Sequence, residues 1–217
     1  MALKDVSGFN PLEVFLHPKK TVQAALDFPN IITAVILLVL PWIVGTIAVT
    51  VLNLQFDFKS NAARMALAVV IFFIQAGIIY ALARNFGNKG KNLFEGVVSA
   101  LSLTQIAAII LAIFAFVVLA LNPQIISLAN KWNAGELLST DLVEQSFTAL
   151  TANPISGIIL LIAGLALVAY LGLQVLYLNF LAVHESTKTS AVGSIVLMVI
   201  VLVIAGILQN SLFYFLP

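Results

Sequence analysis

Cysteine is missing from all 217 residues, and charge is scarce: Asp, Glu, Lys and Arg make up 9% of the chain, and histidine occurs twice. The first absence excludes disulfides, thiolate nucleophiles and cysteine-ligated metals. The second is far from the roughly 25% charged residues of soluble domains. A formal net charge of +1 with no basic stripe leaves nothing to follow a nucleic-acid backbone, so no nucleic-acid partner is expected. Catalytic signatures are also lacking. There is no Gly-x-Ser-x-Gly or His-Glu-x-x-His, and Gly87-Asn88-Lys89-Gly90-Lys91 does not have the spacing of a phosphate loop. His17 and His184, the latter beside Glu185, show no ligand spacing. The reading is therefore of a non-enzyme without metal or cofactor.

What fills the chain is apolar: 62% of residues are hydrophobic. No Asp, Glu, Lys, Arg or His occurs in 28–56, 65–83, 96–130, 145–183 or 189–217. About 20 apolar residues at roughly 1.5 Å each cross a hydrocarbon core about 30 Å thick. Each of these runs is long enough for one crossing. A transmembrane β-barrel would alternate polar and apolar residues, which 195–208 does not. The expected fold is all-α: a polytopic bundle of five transmembrane helices with short amphipathic interfacial helices. The helices are placed at about 31–52, 64–84, 96–121, 155–182 and 190–213, making a 30–217 membrane domain after a 1–29 interfacial segment. Pro29-Asn30, the stretch 53–60, the turn-forming 85–90 and the Asn153-Pro154 cap separate them.

Lysine and arginine set the expected orientation. Lys4, Lys19, Lys20, Arg84, Lys89, Lys91 and Lys188 fall on the N-terminal side, against Lys59, Arg64 and Lys131 opposite. Short loops rich in these residues stay cytoplasmic. The N-terminus is expected in the cytosol and the C-terminus across the membrane. The first apolar run starts near residue 31 and has no convincing cleavage site after it, so the first helix is expected to be retained.

Three places carry candidate function. In the first segment, Asn10 is positioned to cap a helix from Pro11, with Glu13 three residues on, and Leu12, Phe15 and Leu16 share a side. His17-Pro18 then resets the chain before a second short helix with Lys19 and Lys20 at its start and Val22, Ala25 and Leu26 on one face. Two arrangements fit: a segment lying on the membrane surface with its lysines toward headgroups, or a cap packed under the helices. The candidate interaction residues are Asn10, Pro11, Glu13, Phe15, His17, Pro18, Lys19 and Lys20. In the longest connection, 122–154, Asp141 with Glu144 resembles a capping pair. Val143, Phe147 and Leu150 recur at helical spacing, as in an interfacial helix that serves as a lid, a docking surface or a simple cover. Inside the spans, Gln75, Gln105, Gln174 and Asn179 are the amides in need of partners. Interhelical hydrogen bonding by these amides is expected, and Gln75 and Gln105, near the middles of adjacent antiparallel helices, are placed so that they could pair. The alternative is a permeation path lined by these amides.

Two further features concern packing. Ala100, Thr104, Ala108 and Ala112 form a small-residue ridge that admits a close neighbour, in the same chain or in a second copy. Pro41 lies inside the first membrane helix and is expected to kink it.

The segment Asn10-Pro11-Leu12-Glu13-Val14-Phe15, followed by His17-Pro18, resembles the entry segment of prokaryotic Yip1-domain membrane proteins. The link Arg84-Asn85-Phe86-Gly87-Asn88-Lys89-Gly90-Lys91-Asn92-Leu93-Phe94 is similar to that family's glycine-bearing link between helices two and three. Residues 178–194, with Lys188, Thr189, Ser190 and Ala191 opening the last helix, look like its final link. The resemblance covers nearly the whole chain. It implies five crossings from a cytoplasmic N-terminus, the plasma membrane for a prokaryotic member, and an adaptor or scaffold role in membrane organisation or trafficking. Its partners would be the lipid bilayer, a membrane or cytoplasmic protein, or another copy of the chain. Eukaryotic members are associated with Rab-type GTPases. This chain departs from them in its short first segment, which lacks an Asp-Leu-Tyr-Gly-Pro element, and in having Thr104 and Gln105 where relatives often carry proline. A small transporter or channel subunit is the alternative function.

Overall fold

The computed structural model describes residues 11–54, 57–136, 138–151 and 154–213. Among them lie ten α-helices and no strand. In order they are α1 (Glu13–Leu16), α2 (Pro18–Asp27), α3 (Ile31–Val51), α4 (Phe58–Asn85), α5 (Leu93–Ser102), α6 (Gln105–Leu121), α7 (Pro123–Asn133), α8 (Ser139–Thr151), α9 (Pro154–Thr187) and α10 (Ala191–Phe213). Five stretches are long and apolar enough to cross a membrane: α3, α4, α5 with α6, α9 and α10. Within an apolar 18-residue window of each span only 6–22% of residues are buried. Ile159, Ile162, Leu165 and Leu173 along α9 are between 60% and 68% exposed. Leaving such side chains in water forgoes about 1.5–3 kcal/mol each, a penalty that hydrocarbon removes. The chain is an all-helical, multi-pass membrane protein.

Helix ends deviate from the sequence expectation where apolarity and helicity part. α4 begins at Phe58 rather than near 64, and α9 runs on through His184, Glu185 and Ser186 to Thr187 rather than stopping at 182. Once nucleated, a helix adds residues cheaply, so it continues past its apolar run into polar sequence. α7, in the connection 122–154, has no counterpart in the sequence expectation. The third span is broken. Backbone bonds from Leu103 N–H to Ala100 O and from Thr104 N–H to Leu101 O tighten the chain between α5 and α6. The hydroxyls take part too, Ser102 Oγ donating to Ser99 O at 2.8 Å and Thr104 Oγ1 to Leu101 O at 2.7 Å. Such local bonds compete with the regular ladder. α3 runs through Pro41 as one element.

Contacts divide the chain into two units: 1–39, 59–107 and 173–217 form one, and 40–58 with 108–172 the other. The second unit contains α7 and α8, which pack against each other. Asn130 Nδ2 there donates to Asn53 O at 3.3 Å, where Asn53 takes a positive φ of 51° to end α3. Phe114 lies against Gly164, so close that a Cβ would meet its ring at 3.2 Å. α8 carries the expected Val143 and Phe147, both exposed.

In the first unit, α1 packs on α2 and α2 on α5. α5 is buried at Leu93 and at every residue from Gly96 to Ser102. Gly96 is what lets α2 come so near: a Cβ there would sit 2.9 Å from Leu26 O. Asn30 N–H donates to Ser99 Oγ at 3.0 Å, pinning the entry of α3 to α5. α4 and α5 are held together at their link by an edge-to-face Tyr80–Phe94 pair at 5.7 Å, with the Arg84 guanidinium 5.8 Å from the Tyr80 ring centre. Gly87, at φ +92°, turns the chain out of α4, and Asn88 N–H returns to Ala83 O.

Candidate functional site at the lysine-rich end

The segment of α1 and α2 is arranged differently from the sequence expectation. Pro11 precedes the helix within a turn, α1 is a single turn starting at Glu13, and its N-cap position is Leu12, with no side-chain capping bond. Asn10, the expected cap, lies outside the described residues. Leu12 and Leu16 are 64% and 67% exposed and Phe15 is half-buried, whereas Val14 is fully buried. A one-turn helix has room for only one inward position, and Val14 takes it. His17 bridges α1 and α2 in an irregular conformation, leaving Pro18 to begin α2 where its missing N–H costs nothing. Thr21 Oγ1 donates to Glu13 O and His17 O, both at 3.1 Å, and closes the two helices on each other. Val22 is fully buried, with Ala25 and Leu26 half-buried.

Glu185, near the end of α9, fastens this cap. Its carboxylate receives Gln23 Nε2 at 3.0 Å and lies 3.6 Å from Lys19 Nζ. The glutamate side chain is 17% exposed and the lysine 61%. The exposed lysine contributes little by itself, so the Gln23 bond, deeper in the contact, does most to hold the pair. Lys20 is exposed.

Beside this clasp runs a second polar network. Asn88 Nδ2, from the α4–α5 link, donates to Ser186 O at 2.7 Å. Thr187 Oγ1 meets Thr189 Oγ1 at 2.9 Å, and Thr189 Oγ1 meets the buried Ser194 Oγ, also at 2.9 Å. His184 Nδ1 lies 3.0 Å from Ser194 Oγ, and its ring stacks on Phe180 at 5.4 Å. The Ser194 hydroxyl also faces Ser190 O at 3.0 Å, so three oxygen or nitrogen partners surround its single proton, and the imidazole tautomer sets which of His184 and Ser194 donates. The contact ties the start of α10 to the end of α9.

Two of the four intramembrane amides bond to each other across helices, in a different pair from Gln75 and Gln105. Gln75 Nε2 donates to Asn179 Oδ1 at 3.2 Å, not to Gln105, while Asn179 Nδ2 donates back to Val175 O at 2.9 Å. Gln105 starts α6, just after the break, and is half-buried, as is Gln174. The break shifts the register of α6 relative to one continuous helix, so a sequence-based facing of 75 and 105 fails. No group of three or more His, Asp or Glu capable of holding a metal occurs among the described residues.

Several members of the polar network escape a sequence reading. Gln23, Asn88, Ser186 and Ser194 each look like ordinary link or helix residues. Ser194 lies ten residues from its histidine partner, a separation no helical periodicity flags. Compared with protein-family models, with curated proteins and with solved structures, the chain shows no match.

Proposed function

We propose that this multi-pass membrane protein is a non-enzymatic adaptor that presents its lysine-rich end to the cytosol, where a soluble protein docks on α1 and α2. The observation that carries this reading is the clasp of Gln23 and Lys19 on Glu185, together with the burial of Val14 and Val22. It holds a short amphipathic segment in a fixed pose while Leu12, Leu16 and Lys20 are solvent-exposed. A pre-ordered segment with exposed apolar anchors and flanking charge is economical for a partner to bind, since little ordering entropy remains to be lost. The resemblance to Yip1-domain proteins points to membrane organisation or trafficking as the setting. The Gln75–Asn179 bond and the self-satisfied break in the third span support this reading over a permeation path.

The test is crosslinking in native membranes followed by purification of the intact chain. A soluble partner captured by the wild type and lost from a Leu12→Asp, Leu16→Asp double variant, with the protein still monodisperse, is the expected result. Equal capture by both proteins would overturn the docking segment.

A further inference from the structure

A groove of about 620 Å³ opens between the α4–α5 link and the start of α10. Its walls include Phe86, Lys188, Ser190, Gly193, Val196 and Leu197. The geometry points to a binding site for one anionic phospholipid, its phosphate at Lys188 and Ser190 and an acyl chain along Val196 and Leu197.

The groove is split by chemistry along the direction a lipid would take. Lys188 is the last charged residue before the charge-free run 189–217, and the apolar span of α10 starts at Ala191. Lys188 and Ser190 therefore stand at headgroup depth. Val196 and Leu197 lie about 9 Å further along α10, at roughly 1.5 Å per residue, within reach of hydrocarbon. A groove that is polar at one depth and apolar at the next, on a chain solvated by lipid, fits an amphiphile of the same polarity. The sign of the headgroup follows from charge: Lys188 is exposed, and a cation at the bilayer surface favours anionic lipid. Ser190 Oγ accepts the Gly193 N–H at 3.2 Å, which leaves its hydroxyl proton to donate to a phosphate oxygen. The walls are fixed in advance. Asn88 holds the α4–α5 link to Ser186, and the Thr187–Thr189–Ser194 bonds hold the turn on which Lys188 sits at φ +54°. The site requires only the membrane-embedded chain and is independent of the soluble partner proposed above.

The experiment uses the full chain, purified in detergent, stripped of lipid and incubated with equal amounts of dioleoyl phosphatidylglycerol and dioleoyl phosphatidylcholine, with retained lipid counted by native mass spectrometry. The wild type is expected to retain the anionic lipid about five-fold over the zwitterionic one, the scale of one interfacial lysine. Lys188→Gln removes the preference, and Lys89→Gln, an exposed lysine outside the groove wall, keeps it. Val196→Trp, which fills the apolar end, lowers retention of the anionic lipid while the protein stays monodisperse on size exclusion. Excess inorganic phosphate leaves the bound lipid in place. The inference is overturned by a wild type without preference, by equal losses in the two lysine variants, by retention unaffected in Val196→Trp, or by displacement with phosphate, which would mark a site for a free anion.

Discussion

α5 and α10 are both strongly apolar, yet they live in different surroundings. α5 is buried at every residue from Gly96 to Ser102, whereas α10 buries only Ser194 and Val201 among its described residues. Hydrophobicity does not separate them; small and hydroxylated residues do. Gly96 and Ser99 let α2 and the entry of α3 approach the α5 backbone, while Val192, Ile195, Val196, Val199 and Val203 on α10 stay exposed. In hydrocarbon, apolar area gives no preference for a helix neighbour over a lipid, so close fit and hydrogen bonds decide which helix is enclosed.

The strongest way to break this comparison is to exchange glycines. Gly96→Val forces a side chain against Leu26 O, a backbone atom that cannot give way, and is expected to abolish monodisperse protein on size exclusion. Gly206→Ala on α10 meets nothing within 4 Å and should leave thermal stability unchanged or raised by up to about 1 kcal/mol. Equal effects at the two sites would remove the distinction. Next in size, Ser99→Val leaves the part-buried Asn30 N–H without its acceptor and should cost about 1–3 kcal/mol in a detergent unfolding titration. A smaller effect is expected at Gln75 and Asn179. A double-mutant cycle with leucine at both positions should return a coupling of roughly 0.6 kcal/mol, at most about 1.7, and a coupling of zero would mean the bond contributes nothing. Smallest of all, Lys19→Gln should shift stability by no more than about 1 kcal/mol, because the lysine is well exposed, whereas Gln23→Ala should exceed it.

Much of this architecture can be read from the sequence because lipid imposes one simple rule, that charge stays outside. The expected spans 31–52 and 190–213 place α3 and α10 to within one residue, once local breakers such as Pro29-Asn30 and the stretch 53–60 trim the longer charge-free runs. The rule fails where helix and hydrocarbon have different limits, as at Phe58 and Thr187, and it says nothing about the break after Ser102, which depends on hydroxyls turning back on their own carbonyls. The candidate site was visible only in part. His17-Pro18, Lys19 and Glu185 could be noticed, but the clasp requires α2 to fold back beneath α5, and the only sign of that was a lone glycine at 96 in an apolar stretch. Periodicity identifies the faces of α2 but not what they meet. In α1 spacing groups Leu12, Phe15 and Leu16 on one side, but a single turn is too short for it to show that Val14 is the residue buried.

The absence of native cysteine makes the central claim directly testable. Lys89→Cys lies in the α4–α5 link and Glu136→Cys in the α7–α8 link, both at exposed positions separated by one membrane span. In sealed vesicles of known orientation, a membrane-impermeant maleimide should label Glu136→Cys from the outer face, and Lys89→Cys only after the vesicles are opened. Labelling of both cysteines from the same side would contradict a chain that crosses between them.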